Sequence, residues 1–261
     1  MASKITKCIL KNIPRSWLIR LSYVAMPLLD VFLRGKAYHD PINQTSYRRF
    51  LSYGYNDVRK NVLSPGTLSL ERHRLLWLYL KAETDFFKKR LNVLHFAPEQ
   101  CFRKRFKKFK NLSITTTDLE APHVDVKADI CHLPFEDNSF DVILCNHVLE
   151  HIPDDIKAMS ELYRVMKPGG WGIFQIPLDN ARLKTYEDAS ITSPDARTKA
   201  FGQYDHVRLY GMDFFERLSE VGFEVAAVDY TQNFTESEIE QYRLAKGELI
   251  PLVRKLQGLK T

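Results

Sequence analysis

The stretch "FGQYDHVRLYG", Phe201 to Gly211, crowds an acid, an imidazole, a guanidinium and two phenols into a few positions. If it is extended, His206, Arg208 and Tyr210 point to one side, with Asp205, Val207 and Leu209 on the other. An imidazole exchanges a proton near neutral pH, so His206 is the candidate general base. Arg208 carries the planar fork that grips a carboxylate or phosphate. Tyr210, and Tyr186 in the same polar segment, are substrate-binding candidates. A helix-entry turn with surface charges is the other reading of these residues. The surrounding segment, Leu178 to Gly211, is long for a loop, and loops of that length often form lids or substrate sites.

A second stretch, "VLHFAPEQCF" (Val93 to Phe102), runs from an apolar strand into a helix. That is the frame in which a nucleotide-binding fold holds its ligand loop, yet this loop contains no glycine. Around it, helices and strands alternate. "SLERHRLLWLYLKAETDFF" reads as a helix with a partial cap, and "NVLHFA", "LSITTTDL", "VDVKADI" and "SFDVILCNHV" as strands. "EQCFRKRFKKFK" is a helix with Phe102, Phe106 and Phe109 on one face. "DIKAMSELYRVMKPGG" is a helix closed by Pro and Gly, followed by the strand "WGIFQIPL", and "MDFFERLSEVGF" with "EVAAVDYT" completes a further helix and strand. Such alternation predicts an α/β fold, a mostly parallel sheet wrapped by helices, with ligands at the carboxyl ends of the strands.

The segment "ADICHLPFEDNSFDVILCNHVLEHIPD", Ala128 to Asp154, followed by "ELYRVMKPGGWGIFQIP", resembles class I S-adenosylmethionine-dependent methyltransferases of the small-molecule and quinone group. The resemblance covers about Leu91 to Tyr230. It implies a Rossmann-like, seven-stranded sheet, S-adenosylmethionine as cofactor, no metal, and methyl transfer to a small-molecule or lipid-like acceptor. By its pattern Asp118 binds the ribose hydroxyls, because one carboxylate accepts from two vicinal donors. Leu119 lies against the adenine, Asp129 with Ile130 reads its amino group, and Asn146 and His147 stand beside the methionine moiety. His151 shapes the substrate wall. The family loop usually reads acid-x-Gly-x-Gly-x-Gly. Here His95 takes the place of the acid, and Ala97, Glu99 and Cys101 those of the glycines. Glycine supplies positive φ and close backbone approach; Pro98 stiffens the turn instead, and Glu99 offers an acceptor for an α-ammonium. A methionine tail carries no phosphate, so this cofactor needs glycine less than a dinucleotide does. The alternative is a catalytically degenerate cofactor-binding or peripheral membrane module.

Three regions follow along the chain: an amphipathic helical segment over residues 1–37, a small lobe over 38–68, and the methyltransferase domain over 69–261. In the lobe, "HDPIN" and "LSPGTLSLERHR" resemble a zinc ribbon whose knuckle cysteines are replaced by Asp40, Asn43, Ser64 and Thr67. Those side chains lack the thiolates or imidazoles of a structural zinc site. The four cysteines are dispersed, which excludes a disulfide framework and suits the reducing cytoplasm. The net charge of +6 is a mild excess. Nucleic acid is not expected as a partner, since the phenylalanines of "FRKRFKKFK" take the core face and leave its cations as a solvated one. Lys4, Lys7, Lys11, Arg15 and Arg20 all precede the first acid, Asp30, so the N-terminal segment is either a helical cap or a contact with the inner face of an anionic membrane.

Overall fold

Short strands with polar ends build the first of two units. The computed structural model describes residues 27–54 and 58–257. Its contacts group the described residues up to Leu78 with Thr231–Lys246, and Tyr79–Tyr230 with the described residues from Gly247 onward. In the first unit β1 (Arg34–Asp40) pairs antiparallel with β2 (Thr45–Tyr47), and β3 (Leu51–Tyr53) with β4 (Arg59–Leu63). Asp40 is wholly buried. It accepts from Ser64 Oγ and Thr67 Oγ1, both at 2.5 Å, from Ser69 Oγ at 3.4 Å, and from the Ile42 amide. Asn43 turns elsewhere, donating to the Tyr47 hydroxyl. Arg74, also wholly buried, lies on α1 (Glu71–Glu83) and donates to the carbonyls of Val62, Ser69, Tyr242 and Arg243.

Those last two carbonyls lie at the C-terminal end of a helix, α6 (Glu236–Tyr242), whose place in the first unit was not expected. The boundary expected at residue 69 falls instead inside α1. Residues 27–32 are helical and Arg34 already starts β1, so helix stops short of residue 37. The rest of the expected N-terminal helix, residues 1–26, lies outside the described residues. Among the described residues no helix is long and apolar enough to cross a membrane.

The second unit is a seven-stranded sheet in the order β12 (Glu224–Val228), β13 (Ile250–Arg254), β9 (Met166–Ile173), β8 (Phe140–Cys145), β5 (Leu91–Phe96), β6 (Leu112–Asp118), β7 (Val126–Lys127). All neighbours are parallel except β13, which is antiparallel to both β12 and β9. Val93, Leu94, Val142, Ile143 and Leu144 are wholly buried. That explains why β5 and β8 read as unbroken apolar runs: strands covered on both faces need no polar side. Helices α2 (Gln100–Phe106), α3 (Asp155–Val165), α4 (Pro194–Phe201) and α5 (Phe214–Glu220) accompany the sheet. On α3, Met159, Leu162 and Val165 join Leu94, Ile143 and Phe174 in one core. Each such side chain contributes about 1.5–3 kcal/mol by leaving water.

Two local readings change. The Lys167–Gly170 stretch does not close a helix: α3 ends at Val165, and the Lys-Pro-Gly-Gly run is an irregularity within β9, where register jumps from Phe140↔Met166 to Val142↔Trp171. Pro168 has no amide to continue the helix, and Gly169 adopts φ +80°. β13, absent from the expected series, completes the sheet from a late segment.

The Leu-Pro-Phe block is held by α3. Arg164 donates to the carbonyls of Leu133 and Phe135 and to Asp137, and pairs with Glu161, which accepts from the Leu133 amide. The Arg164 hydrogen bond lowers the Glu161 pKa, outweighing the opposing effect of burial. A carboxyl depressed in the folded state stabilises above its unfolded pKa, and that gain is lost as pH falls through the folded value. Glu161→Gln is expected to cost about 1–3 kcal/mol at neutral pH. Its stability should then fall less steeply than wild type below about pH 4.5. Urea melts across pH check both; parallel acid limbs would refute the coupling.

Candidate active site

The cofactor loop begins where β5 ends. Ala97 adopts φ +40°, and its amide donates to Thr117 O at 2.9 Å. The backbone therefore keeps a left-handed residue at the first glycine position, using alanine at a cost of about 1–2 kcal/mol. Glu99 does not stand free for an ammonium as expected. Its Oε2 lies 2.5 Å from His95 Nε2, and its Oε1 accepts from Asn146 Nδ2 at 2.9 Å. His95 is 1% exposed, so the carboxylate ties the ends of β5 and β8 together from within. Pro98 sits between the strained alanine and this brace.

Asp118 ends β6. Its Oδ1 accepts from the amides of Glu120 and Ala121 at 2.9 and 2.8 Å, and among the described residues its Oδ2 has no partner. Asp129 accepts from the Cys131 amide in the same way. Both acids thus have one oxygen fixed by the local turn, which orients the carboxylate. They line a cavity of about 500 Å³ at the carboxyl ends of β5 to β8, together with Ala97, Leu119, Ile130, His147 and His151. Leu119 is 63% exposed. Phe96, Val148 and Ile152 add apolar wall, and Asp205 a further acid. Sequence reasoning named about half of this lining but did not assign those four, nor Glu120 and Ala128, to the site.

After β8 the chain turns through His147, at φ +55°, whose amide donates to Gln175 O at 2.7 Å. A one-turn helix, Leu149–His151, follows. The segment carrying His206 docks on it: the Val207 amide donates to Glu150 O at 2.9 Å. Residues 205–210 do alternate as expected, but the His206–Arg208–Tyr210 side faces inward, at 6%, 3% and 0% exposure. Arg208 therefore holds no substrate anion. It lies on β11 (Arg208–Leu209), which pairs with β10 (Tyr186–Glu187). Its guanidinium donates to the carbonyls of Leu149, Ile152 and Pro153 and to Glu187. The Tyr210 hydroxyl donates to Asp155 Oδ2 at 2.8 Å, and burial pushes its pKa up. Tyr186 is exposed, tilted against Phe201 with the Arg182 guanidinium over its ring, and outside the cavity wall. His206 lies behind the wall rather than in it. Its Nδ1–H donates to Phe201 O at 3.1 Å, its ring meets that of His151 edge-on at 4.8 Å, and burial pushes its pKa down.

A carboxylate at the end of β6, with a cavity at the point where strand order reverses between β5 and β8, is the arrangement in which a Rossmann-like sheet holds a ligand. A family described as "Methyltransferase domain" matches residues 89–174. Sterol 24-C-methyltransferase of Schizosaccharomyces pombe is 26% identical over 137 residues, 51% of this chain and 34% of that one. Demethylmenaquinone methyltransferase of Staphylococcus epidermidis is 47% identical over 45 residues, 17% of this chain and 19% of that one. The match thus spans about a third or less of these curated relatives. Among solved structures, the Burkholderia thailandensis 1,6-didemethyltoxoflavin-N1-methyltransferase is 14% identical, covering 72% of this chain and 78% of its own, with a TM-score of 0.45. Over residues 89–174 the chain is similar to the methyltransferase-domain family, and the cofactor that match supports is S-adenosylmethionine. The free Asp118 oxygen and a cavity within the usual range for small-ligand sites suit that molecule.

Arg208→Met leaves the carbonyls of Leu149, Ile152 and Pro153 without their donor, while Asp155 keeps Arg217 and Tyr210, and should cost about 2–5 kcal/mol in urea unfolding; a change under about 1 kcal/mol would refute the anchoring role. Ala97→Gly relieves the positive φ, offset by greater unfolded-state entropy, and should stabilise by up to about 1 kcal/mol. Destabilisation in the same assay would show that the loop needs the methyl group more than the relief.

Proposed function

We propose that this protein transfers the methyl group of S-adenosylmethionine to a small, largely apolar acceptor held at the His147–His151 end of the cavity. The observation that carries the reading is the gathering of Ala97, Asp118, Asp129, Ile130, His147 and His151, from loops after four different strands, around one cavity. In this reading Asp118 accepts from the ribose hydroxyls, Asp129 and Ile130 bracket the adenine, and Leu119 closes over it. The brace of His95, Glu99 and Asn146 sets the loop for the methionine end. Phe96, Val148 and Ile152 offer apolar surface to the acceptor, and the relatives' names, a sterol and a demethylmenaquinone enzyme, favour a lipid-like one.

The reaction asks little of the protein. An acceptor lone pair forms the bond to the methyl carbon while the carbon–sulfur bond breaks and its pair returns to sulfur. S-adenosylhomocysteine leaves, and the acceptor's proton passes to solvent. Alignment and exclusion of water supply most of the acceleration.

Calorimetric titration of the purified protein with S-adenosylhomocysteine is expected to give micromolar binding, weakened at least about tenfold in Asp118→Ala, since hydrogen bonds to a carboxylate contribute about 1.5–3 kcal/mol. Absence of heat at millimolar ligand would overturn the reading and leave a cofactor-free interaction module.

A further inference from the structure

Two carboxylates are buried in this chain in opposite circumstances. Asp40 in the first unit takes hydrogen bonds from three hydroxyls and an amide. Glu150 in the second is 1% exposed, and neither of its oxygens has a hydrogen-bond partner among the described residues. A buried carboxylate without compensation costs several kcal/mol. Around it stand His147, with Nδ1 3.3 Å from Oε1, and the imidazoles of His151 and His206. One ligand atom each from Glu150, His151 and His206 lie within 4.8 Å of one another.

We propose that Glu150, His151 and His206 bind a divalent first-row transition-metal ion beside the acceptor end of the cofactor cavity. Metal–ligand bonds of about 2.0–2.2 Å put donor atoms about 3–4 Å apart, so small rotations of the three side chains close the shell. The donor set is selective. Two imidazoles and one carboxylate suit zinc, manganese or ferrous iron, whereas magnesium and calcium take oxygen shells.

The surroundings prepare the imidazoles as ligands. His206 gives its Nδ1–H to the Phe201 carbonyl, and the Asp205 carbonyl lies 3.3 Å from His151 Nδ1. Backbone partners of this kind fix ring and tautomer in metal-binding histidines and leave Nε2 with the lone pair. The scaffold is equally fixed, because Arg208 and the Val207–Glu150 bond hold the two chain segments against each other. Three protein ligands leave positions open, and His151 and Asp205 belong to the cavity wall. An acceptor hydroxyl reaching that wall would ligate the ion and ionise more readily. Its proton leaves to solvent, its oxygen forms the bond to the methyl carbon, and the carbon–sulfur pair returns to sulfur. This last step rests on the function proposed above; the metal site itself does not.

The test is titration of the chelator-stripped full chain with Zn²⁺ and Mn²⁺ by calorimetry, with S-adenosylhomocysteine binding measured on the same samples. One ion per chain is expected, with affinity reduced at least about tenfold by Glu150→Gln, His151→Asn and His206→Asn, and unchanged by His123→Asn, an exposed histidine. Circular dichroism identifies any variant that fails to fold, and the remaining variants then decide. Ion binding that ignores all three substitutions overturns the proposal. So does wild-type protein that binds S-adenosylhomocysteine but no ion, which leaves the methyltransferase reading intact. Protein that binds the ion but not S-adenosylhomocysteine keeps the metal site and sinks that reading.

Discussion

One guanidinium sets the shape of the site. Arg208 reaches three carbonyls of the turn after β8 and the carboxylate of Glu187, and so binds a long, polar segment to the rigid sheet. Burial to 3% is tolerable only because its donors are met and Asp155 lies 3.7 Å away. That anchor adds to the Val207–Glu150 and Tyr210–Asp155 bonds in keeping His206 beside His151. A wall of the cavity is therefore placed by a residue that does not line it.

The site also carries strain where the ligand loop would ordinarily use glycine. Ala97 and His147 are both left-handed, at the ends of adjacent strands, and both have their amides tied to a neighbouring backbone carbonyl. The conformation is imposed by the sheet rather than chosen by the residue. Glu99 then fills the space that a glycine loop leaves open, joining His95 to Asn146. A loop without glycine thus retains its turn and exchanges openness for an internal brace.

The sheet was largely legible because buried parallel strands announce themselves as apolar runs, as in "VILC" of β8, and helices by their caps and spacing. β13 was hidden for a physical reason. "IPLVR" is short, begins with an internal proline, and pairs far from its sequence neighbours, so no local pattern marks it. The cavity acids were legible through motif context, Asp118 at a strand end above all. Arg208 and Tyr210 were misread because alternation reveals which side chains share a face but not whether that face meets solvent or core. Glu150 gave a signal, an acid inside "HVLEHI", but its isolation from hydrogen bonds exists only in three dimensions.

The place of β13 has a kinetic side. The chain makes β12, departs into the other unit through α6, and returns to lay β13 between β12 and β9. Until that return, β9 presents a bare edge of amides and carbonyls, and β12 has no partner at all. On the ribosome the sheet thus waits for a segment synthesised after its six other strands, with an open edge that invites strand exchange between nascent copies. Chaperone dependence of this fold would be concentrated in that interval, and a circular permutant that delivers Ile250–Arg254 early would shorten it.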